Sequence, residues 1–191
     1  MATLIERAIG AAKLDPAAYE DVENDPGALS QAMTVVVIAS VASGLGSGAA
    51  SGGHGIGLVG AIIGALIGWF VWAFTTWLVG TKMLPEPETK ADLGQVLRTT
   101  GFASAPGVAG ILGFLPGVGG LVLFAVSIWQ LAATVVAVRA ALDYTSTGRA
   151  VLVCVVGFLI QLVVIFVVVG LIVGSMAALF GGATAPTTVA P

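Results

Sequence analysis

Two glutamines are the polar side chains best placed for chemistry inside the long apolar runs of this chain. Gln130 and Gln161 each lie in a run that contains no Asp, Glu, Lys or Arg. Counted inward from Arg139 and Arg149 at about 1.5 Å per residue, they lie about 13 and 18 Å deep in neighbouring helices. We expect a hydrogen bond between them, typically worth about 0.6 kcal/mol in a membrane protein. The alternative is a polar station on the path of a solute.

Other catalytic chemistry has little support in the sequence. The chain has no HExxH or GxSxG motif and no pattern of paired catalytic carboxylates, and Cys154 is its single cysteine. His54 stands alone in a Gly/Ser-rich segment, where a spacer role is favoured over a metal ligand. We therefore expect no enzymatic activity, cofactor or metal. The net charge of -3 also argues against a nucleic-acid partner.

Membrane helices must position these side chains, because the composition is that of an all-α, polytopic integral membrane protein. Hydrophobic residues make up 58% of the chain, charged residues 9%, and the mean hydropathy is +1.06. A soluble domain would have roughly a quarter of its residues charged. One membrane helix needs roughly 20 apolar residues, and the charge-free runs are long enough for several. They predict five transmembrane helices over residues 28–47, 56–79, 99–115, 118–142 and 150–174.

A short helix and an acidic segment precede the first span. Leu4, Ile5, Ala8, Ile9 and Ala12 follow the spacing of one helical face, which predicts an N-terminal amphipathic helix at the membrane interface. The acidic run that follows predicts a solvated surface, with a docking site for a basic partner as the alternative. We thus divide the chain into a cytoplasmic segment (1–27), a membrane domain (28–180) and a disordered tail (181–191).

The positive charges predict the orientation of the chain. With five spans, all seven positively charged residues lie on one side of the membrane. Without the third span, five of them lie on one side and two on the other. The positive-inside rule therefore favours five spans, a cytoplasmic N-terminus and an external C-terminus. The seven residues are Arg7, Lys13, Lys82, Lys90, Arg98, Arg139 and Arg149.

The third predicted span is short and contains a proline. The sequence from Thr89 to Asp92 resembles a capping box for the helix that leads into it. Pro106 is predicted to kink the span. The alternative is that Pro106, together with Ser104 and Thr100, breaks the helix and opens a cavity lined by freed carbonyl groups.

Two rows of small residues predict close helix packing. Residues at i, i+4 spacing lie on one helical face, and small side chains there let a second backbone approach closely. We expect these rows to meet each other or a second subunit. The rows are Gly60, Gly64 and Gly68 in the second span, and Gly101, Ala105, Ala109 and Gly113 in the third.

Four segments of the chain, taken in order, resemble those of a known family. They are KLDPAAYEDVENDPGALSQA, ADLGQVLRTTGFASAPGV, GFLPGVGGL and IWQLAATVVAVRAALDYTSTGRA. Gly101 and Phe102 followed by Pro106 are similar to the Gly-Tyr-then-Pro pattern in the third span of the Yip1 domain family, and the chain resembles its short bacterial form. The resemblance implies a five-span protein of the bacterial cytoplasmic membrane. Eukaryotic members bind Rab-type GTPases, which implies a small GTPase partner here only by remote analogy, since their Asp-Leu-Tyr-Gly-Pro motif is reduced to residues 25–27.

Two functions follow from these patterns. The first is a non-enzymatic membrane protein that assembles in the lipid bilayer, as a homo-oligomer or with another membrane protein, and organises the membrane or recruits a partner at its cytoplasmic face. The alternative is a channel or facilitator for a small neutral solute. An ion-coupled transporter usually has a charged residue within a span, and none is predicted here.

Overall fold

A computed structural model of the chain describes residues 2–51 and 58–181, and these residues form helices and connecting turns. The predicted turn around His54 and the predicted tail from residue 182 onward lie outside the described residues. The described α-helices are α1 (Leu4–Ala12), α2 (Pro16–Asn24), α3 (Ala28–Ser51), α4 (Leu58–Leu78), α5 (Leu93–Phe102), α6 (Gly119–Ala141) and α7 (Thr147–Gly181). A π-helix (Val79–Met83) extends α4, and a 3-10 helix (Ala105–Phe114) follows α5.

Four of the described helices are long and apolar enough to cross a membrane. They contain the segments Ala28–Gly48, Ile62–Met83, Gly119–Ala141 and Thr147–Ser175. The third predicted span, 99–115, is not a single helix. It is divided between the end of α5 and the 3-10 helix, because Pro106 has no N–H to continue the α-helical hydrogen bonding and its ring would clash with the carbonyl of Phe102.

The two N-terminal helices have the expected sequence signals at their starts. Thr3 and Glu6 form a capping box on α1, and the Asp15 side chain caps α2 with Pro16 as its first residue. Ile5 and Ile9 on α1 are exposed, whereas Arg7 is buried. The hydroxyl of Tyr19 donates to the carbonyl of Ala11 over 3.0 Å, which fixes α2 against α1.

The ends of several helices meet at one end of the bundle, which we call the charged end: residues 1–27, 79–98 and 139–149. Tyr144, just after α6, donates its hydroxyl to the carbonyls of Gly80 and Leu84 beyond α4. Arg149, at the start of α7, pairs with Glu86 at 3.3 Å. α4 and α6 therefore end, and α7 begins, at the same end of the bundle.

The chain from α5 through the 3-10 helix runs beside α3 in the same direction, away from the charged end. A Cβ atom on Gly101 would lie 2.7 Å from that of Ala32, and one on Gly46 would lie on the carbonyl oxygen of Gly110, 1.9 Å away. α6 then returns antiparallel, with Leu123 against Gly113. The N-cap of α5 is Asp92, which forms a capping box with Gln95, three residues later than the predicted Thr89.

Candidate functional site

A cavity of about 580 Å³ lies within the helix bundle, at the level of the middle of α6. Helices α3, α4, α5, α6 and α7 all contribute to its wall. It has aromatic side chains on one side, Trp69 and Trp72 of α4, and the carboxamide of Gln130 on another. Its other polar lining residues are the hydroxyl-bearing Ser40, Ser43, Thr100, Ser104, Ser127 and Thr134.

Most hydroxyl groups in this wall donate their hydrogen to a backbone carbonyl. Ser43 donates to Gly107 across the α3 contact, over 2.8 Å. Ser40, Thr100, Ser127 and Thr134 donate to carbonyls three or four residues earlier in their own helices. Each such oxygen keeps lone pairs that can accept a further hydrogen bond. The wall therefore presents acceptors, with the Gln130 amide as an additional donor.

The predicted hydrogen bond between the two glutamines is absent from the described part of the chain. The Oε1 atom of Gln161 is buried and has no hydrogen-bond partner there. Gln130 accepts a bond from Thr134 through its backbone carbonyl, and its carboxamide lines the cavity instead of facing Gln161. Similar depth in neighbouring helices was the basis of the prediction, and depth does not determine which way a side chain points around the helix axis.

The predicted row on α4 has open space around it within the described residues. A Cβ atom on Gly60, Gly64 or Gly68 would meet nothing within 4 Å. Gly68 borders the cavity, while Gly60 and Gly64 are exposed. The two predicted rows therefore do not meet within this chain, and packing of the α4 row against a second subunit stays a prediction.

The small residues of the third segment pack with a period of three, not four. In a 3-10 helix residues i and i+3 are eclipsed, so Gly107, Gly110 and Gly113 share a side. They contact Ser43 of α3 and Leu123 of α6 closely. Gly101 and Ala105 of the predicted row are buried, but Ala109 is only half-buried because the i+4 spacing assumed an α-helix.

Pro106 begins a helix and does not kink one. It is fully buried in the first turn of the 3-10 helix, four residues after α5 ends at Phe102. Thr100, in α5, and Ser104, between α5 and the 3-10 helix, do line the cavity, as the alternative prediction required. Two hydroxyl-bearing residues that precede Pro106 thus border the cavity.

A layer of buried side chains separates the cavity from the charged end. Each lies three to five residues closer to that end than a cavity-lining residue on the same helix, and each has 0% of its surface exposed. The layer comprises Ala32, Thr76, Val96, Ala137 and Val153.

The predicted positive charges lie in the charged end, and two of them are buried. The Arg7 guanidinium bonds to Asp21 at 2.7 Å and to Asp25 at 2.8 Å, and donates to Gln31. Arg98 donates to the backbone carbonyls of residues 22 and 23 at the end of α2. Lys13, Lys82, Lys90, Arg139 and Arg149 are the other members of the predicted set, and each lies in the charged end.

Comparison with known proteins gives one match, which covers the bundle just described. The profile of the Yip1 domain matches residues 14–169, from the turn before α2 to the middle of α7. The chain belongs to the Yip1 domain family. No curated protein and no solved structure matches it significantly. Membership confirms the resemblance seen in the sequence and, with the apolar helices, makes this an integral membrane protein.

Within this Yip1 domain, the charged end contains a carboxyl group whose ionisation is unfavourable. Glu23 is almost fully buried at the end of α2, beside Asp143 and Arg98. Its burial, together with the negative charge of Asp143, raises the pKa of Glu23 to about 7, although Arg98 opposes the shift. Gln95 donates to its carboxylate over 3.1 Å.

Sequence reasoning missed two of the contacts that attach α1 to the rest of the bundle. The first is the pairing of Arg7, because only the three-dimensional position of the acidic run shows that the run surrounds this residue. The indole of Trp129 in α6 donates to the carbonyl of Ala12 over 2.7 Å. No local pattern links residues that are 117 positions apart.

Proposed function

We propose that this protein is a non-enzymatic, five-span membrane protein that recruits partners through its charged end. The observation that carries the proposal is the construction of that end. Arg7 and Arg98 are buried and bind the acidic N-terminal segment to the bundle. A segment that served only to keep the chain soluble would need no buried pairs, which are stable only with good geometry. Glu20 and Asp21 are exposed on α2, which is thereby held in a fixed position on the bundle.

The course of the third segment supports five crossings. α3 and α6 are both long enough to cross, and the chain between α4 and α6 runs from the charged end along the length of α3. A fixed position against α3 and α6 also explains how so short a segment is tolerated. With five crossings, the positive-inside rule places the charged end and the N-terminus in the cytoplasm and the C-terminus outside. The resemblance of the sequence to the short bacterial form of the family supports the bacterial cytoplasmic membrane as the location.

The first helix fits an amphipathic helix at the membrane interface. Ile5 and Ile9 are 66% and 50% exposed, and they border an apolar groove with Val35, Ile38 and Val108 of the bundle. An apolar face of this kind binds the boundary between headgroups and acyl chains. α1 would thus hold the charged end against the bilayer surface.

Two partner classes follow from the proposal. The open glycine row of α4 supports a homo-oligomer or another membrane protein, because small residues allow close helix contact. The family resemblance adds a small GTPase at the charged end, by remote analogy. The alternative of a neutral-solute facilitator requires a continuous path through the bundle, and the layer of buried side chains between the cavity and the charged end favours recruitment instead.

Site-specific photocrosslinking in native membranes tests the proposal. A photoreactive residue is placed at Glu20 or Lys90 in the charged end, and at Phe166, which is 82% exposed on α7, as a lipid-facing control. Protein adducts should form from the charged end and not from Phe166. If adducts from the charged end do not exceed those from Phe166, the proposal is wrong. Solute flux in proteoliposomes, measured in parallel, should equal that of empty liposomes.

A further inference from the structure

The cavity in the bundle contains an unpartnered polar group at membrane depth. The Gln130 carboxamide lines it and has no hydrogen-bond partner among the described residues. A carboxamide without a partner in an apolar environment costs free energy. It has both a donor and an acceptor, so a molecule with a hydroxyl group in the cavity could bond to either.

The wall also sets the charge and polarity of an occupant. Among the described residues, no Asp, Glu, Lys, Arg or His lines the cavity, and an unpaired charge is strongly disfavoured in such a lining. The hydroxyl oxygens accept more readily than they donate, since their hydrogens are used on backbone carbonyls. Apolar and aromatic side chains complete the lining. An uncharged, largely apolar molecule with at least one O–H donor matches these groups.

The route of entry is sideways, through the surface that faces lipid. Leu131 and Phe158 border the cavity and are 61% and 54% exposed on α6 and α7. The layer of buried side chains that contains Ala32 and Val153 lies between the cavity and the charged end. On the far side, Gly46 and Gly110 bring the backbones of α3 and the 3-10 helix into direct contact. A ligand would therefore reach Gln130 from the bilayer, past Leu131 and Phe158.

We propose that this cavity binds a neutral, hydroxyl-bearing lipid of the monoacylglycerol or long-chain alcohol type. Its hydroxyl group bonds to Gln130 and to the acceptor oxygens of the wall, while its chain lies past Leu131 into the bilayer. The volume of about 580 Å³ is within the roughly 300–1,000 Å³ of typical ligand sites. The cavity is separate from the charged end, so lipid binding in the cavity and partner recruitment at the charged end can be tested independently.

Photolabelling in proteoliposomes tests this proposal. The probe is a monoacylglycerol with a diazirine in its acyl chain, in phosphatidylcholine vesicles that contain the full chain. The competitors are unlabelled monoacylglycerol, the fatty acid methyl ester, which lacks an O–H donor, and the ionised fatty acid. The variants are Gln130→Leu, which removes the bonding group, and Ala65→Phe, which fills the cavity from α4. Gln161→Leu is the matched control, because Gln161 lies at similar depth but does not line the cavity.

Labelling of the wild-type protein should be saturable and should map to the segments that line the cavity. Unlabelled monoacylglycerol should displace the probe, whereas the methyl ester and the ionised acid should not. Gln130→Leu should weaken labelling roughly tenfold, as expected for a lost hydrogen bond in an apolar site, and Gln161→Leu should change it less than about twofold. Equal displacement by the methyl ester, or unchanged labelling of folded Gln130→Leu, would overturn the proposal. If Gln130→Leu does not fold, the wild-type competition alone decides.

Discussion

The contact between α3 and the 3-10 helix predicts opposite effects for two alanine substitutions that lie two residues apart. Gly46 is buried, and an added Cβ atom would lie 1.9 Å from the carbonyl oxygen of Gly110, a backbone atom that cannot rotate away. Gly44 is exposed, and a Cβ atom there would meet nothing within 4 Å. Gly46→Ala should therefore destabilise the protein, and Gly44→Ala should not.

The expected size follows from the terms that each substitution changes. In both variants the free energy of unfolding rises by about 0.5–1 kcal/mol from this term, because alanine loses less backbone entropy than glycine when a helix forms. Gly46→Ala also forces two backbones apart, which typically costs about 1–3 kcal/mol. It further strains the nearby hydrogen bond from Ser43 to Gly107, worth about 1 kcal/mol. In sum, the free energy of unfolding should fall by about 1–3 kcal/mol for Gly46→Ala and rise by up to about 1 kcal/mol for Gly44→Ala.

Thermal unfolding in detergent measures both variants beside wild type. The unfolding midpoint of Gly46→Ala should fall by several degrees, while that of Gly44→Ala should stay level or rise. Equal midpoints for the two variants would mean that the 3-10 helix does not lie against α3. The packing of the third segment described above would then be wrong.

Three further predictions concern the charged end and the α4 row. The folded protein holds the Glu23 proton more tightly than the unfolded chain, so the free energy of unfolding should fall as pH rises from about 4.5 to about 7. Glu23→Gln should remove this pH dependence in unfolding scans, and an unchanged pH dependence would contradict the raised pKa. Arg7→Met should lower the unfolding midpoint by a few degrees, because it removes the charged hydrogen bonds to Asp21 and Asp25, whose carboxylates stay partly solvated. Lys13→Met on the exposed surface should leave the midpoint almost unchanged, and equal midpoints for the two variants would show that the Arg7 pairs contribute little. Gly64→Leu should reduce the oligomer size measured by light scattering without lowering the unfolding midpoint, since nothing in the described chain contacts Gly64; an unchanged size would remove the case for a subunit contact there.

The sequence predicted the features that depend on composition and on local signals. Charge-free runs predicted the four long apolar helices that the structure contains. The 3-10 helix was missed although its signal is visible: a proline is followed by glycines at 107, 110 and 113, a period of three that suits three residues per turn. An i+4 spacing was read there because a membrane segment was assumed to be α-helical.

The rest depends on how distant segments meet. The side of α6 on which Gln130 lies is set by packing, so its expected bond to Gln161 was wrong and the cavity could not be located from one sequence. Arg7 has the sequence context of a solvated residue, and its burial depends on where Asp21 and Asp25 are placed by the turn between α1 and α2. Contacts between such distant residues produce no periodic pattern in the sequence.

The side of the membrane on which each connection lies is the most direct test of the five-span proposal. Single cysteines at Glu88, Val118 and Ser146, in a Cys154→Ser background, are exposed positions between the helices and can be labelled in intact cells with a membrane-impermeant maleimide. We predict that the cysteine at position 118 is labelled in intact cells, whereas the cysteines at positions 88 and 146 are labelled only after the membrane is permeabilised. Labelling of 88 and 118 from the same side would contradict a crossing by the third segment, and with it the placement of all seven positive charges in the cytoplasm.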